Sequence, residues 1–168
     1  AARDIDAKIV INIQADEPLI HHSIIDGLAR EMINNPATLM ATVKKAIAPG
    51  EDINNPNIVK VISDKDDFAI YFSRYPIPYY RDNAARKTHY KHMGIYAYTK
   101  DFLYTFKNLP ASYLENAENL EQLRAIEAGY KIKVVETKFE CVGVDTEEDL
   151  QKVEAILSAK TTKNTGQA

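Results

Sequence analysis

Three observations predict an α/β fold with a mixed sheet. Apolar runs of strand length alternate with segments whose apolar residues recur at helical spacing. Two of those runs are joined by a tight polar turn, which inserts a hairpin in the middle of the chain. No internal repeat and no linker divides the sequence, so one domain is expected over residues 1–160, with a polar, disordered tail at 161–168.

The first strand is read at residues 8–13, where Ile9-Val10-Ile11 precede an abrupt Gln14-Ala15-Asp16-Glu17-Pro18. Ser23 and Asp26 form an S-x-x-D capping signal, and Ile24, Ile25, Leu28 and Met32 supply an apolar helical face over residues 23–34. Asn34-Asn35-Pro36 ends that helix, and residues 38–43 form the next strand. A loop containing Pro49, Gly50, Asn54, Asn55 and Pro56 follows. Residues 57–62 and 68–73 are the hairpin strands around Ser63-Asp64-Lys65-Asp66-Asp67. Residues 75–91, with Pro76 and Pro78, are irregular, 92–99 a strand and 101–106 a short helix. Leu120, Leu123 and Ile126 predict one helix over 116–128, stopped by Gly129. Residues 132–136 form a strand, and Thr146 with Asp149 caps a last helix carrying Leu150, Val153, Ile156 and Leu157.

A chain of 168 residues can bury a core, and its formal net charge of −3 fits neither a basic nucleic-acid tail nor an acidic disordered segment. Its single cysteine, Cys141, permits no intrachain disulfide, so a reducing, cytoplasmic setting is expected. No apolar run is long enough to cross a bilayer. The chain begins Ala1-Ala2-Arg3 and reaches its first strand almost at once, which raises the expectation that it is a piece of a longer protein.

Four constellations carry candidate chemistry. In open α/β sheets ligands collect beyond the carboxyl ends of strands. Asp16 and Glu17 follow such a strand and suit a hard cation with substrate phosphates, or else simply cap a turn before Pro18. Asp145, in Gly143-Val144-Asp145-Thr146, is a second metal-facing carboxylate or an acid favoured by a helix dipole. Segment 71–104 holds eight of the ten tyrosines, interleaved with Arg74, Arg81, Arg86, Lys87, Lys91 and Lys100. It suits base stacking, an anionic small molecule, or an ordinary strand and loop, and the acidic balance argues against an extended nucleic-acid footprint. Glu121 and Gln122 neighbour two buried helical positions and by default face solvent. The four histidines form no metal cluster.

Six motifs occur in the order found in one family: Gln14-Ala15-Asp16-Glu17-Pro18-Leu19-Ile20, Asn55-Pro56-Asn57-Ile58-Val59-Lys60-Val61, Tyr71-Phe72-Ser73-Arg74, His92-Met93-Gly94-Ile95-Tyr96-Ala97-Tyr98, Leu120-Glu121-Gln122-Leu123-Arg124 and Gly143-Val144-Asp145-Thr146-Glu147-Glu148-Asp149-Leu150. Over residues 8–157 the chain resembles the 3-deoxy-manno-octulosonate (Kdo) cytidylyltransferases. The resemblance implies a nucleotide-diphospho-sugar transferase-like three-layer sandwich with a mixed sheet. It also implies a cytoplasmic, homodimeric, Mg²⁺-dependent enzyme that joins CTP and Kdo into CMP-Kdo and pyrophosphate for lipopolysaccharide synthesis, with no nucleic-acid or membrane partner. On this resemblance Asp16 and Asp145 are the catalytic metal ligands, and Gln14, Arg74, His92, Tyr96, Glu121 and Gln122 surround the sugar acid, with Lys60 a weaker candidate. Two departures stand out: Ala15 replaces the usual glycine, and the family's N-terminal nucleotide-gripping segment is missing, so the 168-residue chain alone is expected to be inactive.

Overall fold

The computed structural model describes residues 5–15, 17–81, 88–140, 144 and 147–164. Its strands are β1 (Ile9–Asn12), β2 (Met40–Ala46), β3 (Lys60–Ser63), β4 (Ala69–Ser73), β5 (Tyr90–Thr99) and β6 (Ile132–Glu136). The helices are α1 (His22–Asn34), α2 (Lys100–Asn108), α3 (Tyr113–Glu118), α4 (Leu123–Glu127) and α5 (Glu147–Asn164). The strands form one mixed sheet in the order β4-β3-β5-β2-β6, with β1 also on β5. Among the described residues only β2 and β6 run parallel; β3 and β4 form the expected hairpin.

Side chains alternate across the sheet, so each face buries its own set. On one face Ile24, Leu28 and Met32 of α1 pack against Ala41, Val43, Met93, Ile95 and Ala97. On the other, Phe102 and Phe106 of α2 and Leu123 and Ala125 of α4 pack against Met40, Val61, Phe72, Tyr98, Ile132 and Val134. Helices on both faces make the predicted three-layer sandwich. Among the described residues no helix is long and apolar enough to cross a membrane.

The structure corrects four local expectations. His21, not Ser23, is the N-cap of α1: its Nδ1 accepts from the Ser23 amide at 3.2 Å while its ring lies flat on Phe139, 3.7 Å between centroids. The helix expected over 116–128 is two helices. Ser112 and Glu115 make a capping box that starts α3 early, and Asn119 ends it in the left-handed region at φ 52°. Asparagine tolerates that conformation better than other side chains. The chain then restarts as α4 and stops, as expected, at Gly129 with φ 84°. Finally, β2 is displaced toward the C-terminus of its expected range, and α5 continues to Asn164, past the start of the expected tail. Thr146 lies outside the described residues.

Candidate functional site

Strand β5 is ten residues long and serves two partners along one edge. Its end pairs with β1, from Ile9 opposite Thr99 to Asn12 opposite Tyr96. Its start pairs with β3, Lys60 opposite Lys91. Both partners run antiparallel to β5, one behind the other, and they part where residues 92–95 lie. On the opposite edge the register with β2 slips at the same place: Thr42 faces Tyr96 and Val43 faces Met93, leaving Gly94 and Ile95 as extra residues. Such a bulge bends the strand and re-aims its side chains. The result is a fork holding a cavity of about 650 Å³, lined by Gln14, Glu17, Asn57, Ile58, Val59, Arg74, Lys91, His92, Met93, Gly94 and Glu140. That volume suits a small-molecule ligand.

Each wall has an identifiable support. The Gln14 side chain passes over Gly94, where an added Cβ would lie 3.4 Å from its Nε2. The His92 ring stands edge-on to Phe72 at 4.9 Å, and its Nε2 lies 2.9 Å from Thr42 Oγ1. Burial pushes the imidazole down to about 3, so it is neutral at physiological pH. Lys91 binds Glu51 at 2.5 Å and Glu140 at 2.7 Å, and Lys45 also binds Glu140. Burial alone would lower the Lys91 pKa; its two carboxylate partners reverse the effect and raise it. This network ties the segment after β6 to the sheet. Arg74 donates Nε to Glu118 O at 2.7 Å, Nη1 to Pro56 O at 2.9 Å and Nη2 to Asn119 O at 3.2 Å. Among the described residues, two of its five N–H groups have no partner and are available to a ligand. The Glu118 carboxylate completes the clamp by accepting from Ser73 Oγ and the Arg74 amide.

The fork therefore brings together Gln14, Arg74 and His92 of the expected set. Tyr96 neighbours His92 at 5.4 Å between rings, and burial, reinforced by Tyr98 and Glu121, holds its phenol well above the ordinary range. Glu121 is exposed, as its default reading has it, but Gln122 is not: it is 4% exposed, and its Nε2 has no hydrogen-bond partner among the described residues. The helix break at Asn119 turns Gln122 inward as the N-cap of α4. Lys60, the weaker candidate, is not among the residues lining the cavity. Its side chain is fully buried, and Nζ donates to Asn55 O at 3.1 Å, Ile58 O at 2.6 Å and Arg74 O at 2.5 Å. An ammonium has three hydrogens, so none is left for a substrate. Asp16 and Asp145, the expected metal ligands, lie outside the described residues.

Comparison with known proteins now bears on this fork. Residues 1–132 match the cytidylyltransferase family. The chain belongs to that family. It is 47% identical over 161 residues to the 3-deoxy-manno-octulosonate cytidylyltransferase of Solibacter usitatus, an alignment covering 96% of the chain and 64% of the relative. The corresponding protein of Chloroherpeton thalassium is 48% identical, with 95% and 66% covered. A solved structure of CMP:2-keto-3-deoxy-manno-octonic acid synthetase complexed with CTP superposes with a TM-score of 0.87 at 41% identity, covering 95% of this chain and 65% of that one. The sandwich is thus a nucleotide-diphospho-sugar transferase fold, as expected. The chain spans slightly less than two thirds of the length of these relatives.

Sequence reasoning did not single out Thr42, Glu140 or Gly94 as parts of the site, and it named Lys91 only within the basic, tyrosine-rich segment 71–104. Gly94 carried a usable signal, because an isolated glycine in a strand marks a bulge or a close approach. Thr42 and Glu140 carried none, since each acts through a residue at least 49 positions away.

Proposed function

We propose that the protein containing this chain is a cytidylyltransferase that couples CTP to Kdo, giving CMP-Kdo and pyrophosphate. The observation that carries the reading is the fork cavity itself, which gathers Gln14, Arg74 and His92 at a β-bulge in a chain 47% identical to a named 3-deoxy-manno-octulosonate cytidylyltransferase. In the reaction the anomeric hydroxyl oxygen bonds to the α-phosphorus of CTP, the bond from that phosphorus to the bridging oxygen breaks, and pyrophosphate leaves with the hydroxyl proton passing to solvent.

The chain's own residues bind and orient the sugar acid. The spare N–H groups of Arg74 and the Gln14 amide supply donors for the carboxylate. Neutral His92 contacts a hydroxyl. Buried Gln122 has an amide nitrogen without a hydrogen-bond partner among the described residues, which a sugar oxygen would satisfy, and its chain neighbour Glu121 acts electrostatically on the Tyr96 phenol. Asp16 and Asp145 are carboxylates of the kind that Mg²⁺ takes together with phosphate oxygens, and both chain neighbours of the Ala15-Asp16 step, Gln14 and Glu17, line the cavity. A bound Mg²⁺ would neutralise phosphate charge and acidify the attacking hydroxyl. The same reading makes the protein a cytoplasmic homodimer serving lipopolysaccharide synthesis.

The test is pyrophosphate release from CTP and Mg²⁺ by the longest natural form of the protein that contains these residues. Release that depends on Kdo, and is much weaker with sialic acid or an amino-Kdo, supports the reading. Release without Kdo, or a preference for another acidic sugar, overturns it.

A further inference from the structure

The β2–β5 bulge places one hydroxyl among three polar atoms. Thr42 Oγ1 lies 2.9 Å from Ile95 O, 3.3 Å from Met93 O and 2.9 Å from His92 Nε2. A threonine hydroxyl has one proton to give and two lone pairs that accept. The carbonyl oxygens only accept, and an oxygen pair at 2.9 Å without a proton between them is repulsive. The Thr42 proton is therefore committed to the β5 carbonyls. The contact with His92 must then run the other way, from Nε2–H to Oγ1. A neutral imidazole protonated at Nε2 carries a bare lone pair on Nδ1. Nδ1 has no hydrogen-bond partner among the described residues and is not a sealed atom, while His92 itself lines the fork cavity.

We infer that Thr42 is a positioning residue that fixes His92 as the Nε2–H tautomer and so presents Nδ1 to the cavity as a hydrogen-bond acceptor for a ligand hydroxyl. The assignment rests on the reading of the fork as the sugar-acid site and narrows it. A neutral acceptor repels a carboxylate, so His92 selects a hydroxyl at its position, and the carboxylate falls to Arg74 and Gln14. The depressed pKa of the half-buried ring agrees, because a cationic His92 would present N–H on both nitrogens.

Long-range proton–nitrogen NMR of the nitrogen-15-labelled chain at pH 7, with His92 assigned by its loss in His92→Gln, reads the tautomer directly and needs no ligand. The expected spectrum has a protonated Nε2 and a bare Nδ1. Thr42→Ser keeps this pattern, and Thr42→Val mixes or reverses it. In the pyrophosphate assay Thr42→Val raises the KM for Kdo about tenfold, the equivalent of one hydrogen bond. The KM for CTP stays near wild type, and Thr42→Ser stays within about twofold. A protonated Nδ1 in the wild-type chain, or an unchanged spectrum in Thr42→Val, overturns the inference. So does a fixed tautomer with no change in the Kdo KM. Should Thr42→Val not fold, the wild-type and Thr42→Ser spectra decide. A wild-type protein that never uses Kdo instead overturns the functional reading and leaves the tautomer result standing.

Discussion

Lys60→Met is expected to lower the melting temperature by roughly 6–12 °C, the shift that about 3 kcal/mol produces in a domain of this size. Lys60 Nζ joins the three carbonyl oxygens of Asn55, Ile58 and Arg74. Each buried acceptor left without a partner costs about 1–3 kcal/mol. Relief from burying a charge offsets part of that sum, since burial already lowers the Lys60 pKa while Asp52 and Glu118 act to raise it. Lys60→Arg should not restore stability, because a flat guanidinium does not reproduce three converging ammonium bonds. Differential scanning calorimetry of the three proteins checks this. A Lys60→Met chain that melts like wild type but loses Kdo binding would return Lys60 to the role of substrate ligand.

Acidification from pH 6.5 to pH 5 should cost the fold about 2 kcal/mol through His92 alone. An unfolded histidine protonates near 6.5, whereas half-buried His92 holds out to about 3. Between these values the unfolded state binds the extra proton. Stability is therefore full above pH 6.5 and falls with pH by about 1.4 kcal/mol per unit until the folded pKa is reached. The acids whose pKa values are lowered in the fold, Glu51, Asp64, Glu115, Glu127 and Glu140, lose their contribution as pH falls from the ordinary carboxylate value toward their lowered ones. The window above pH 5 thus isolates the histidine. Urea midpoints measured at pH 7 and pH 5 should converge in His92→Gln and separate in wild type; equal pH slopes in the two proteins would contradict the burial of a neutral ring.

Most of the architecture was legible from periodicity, because Ile9-Val10-Ile11 and the hairpin around Ser63-Asp64-Lys65-Asp66-Asp67 are local signals. The break at Asn119 was not. Leu120, Leu123 and Ile126 keep helical spacing with each other across α4, while the competing capping box at Ser112 and the Glu118 contact with β4 depend on tertiary structure. Site residues divide in the same way. Motif order located Gln14, Arg74 and His92, whose side chains do meet in one cavity. It said nothing of the burial of Lys60 or Gln122, because a lysine saturated by backbone carbonyls and a lysine facing a substrate look alike in sequence. Thr42 escaped because its role arises from a register slip against β5.

The most direct test of the account is a Kdo titration of the nitrogen-15-labelled chain followed residue by residue. Occupation of the fork should shift the Gln14 side-chain amide, the Gly94 backbone amide and the His92 ring together along one saturation curve. Gly94→Val, whose side chain would project against the Gln14 amide from the position where a Cβ already lies 3.4 Å away, should weaken that curve about tenfold or more without unfolding the chain. Saturable shifts centred elsewhere, or unaltered affinity in a folded Gly94→Val chain, would contradict the assignment of the fork as the sugar-acid site.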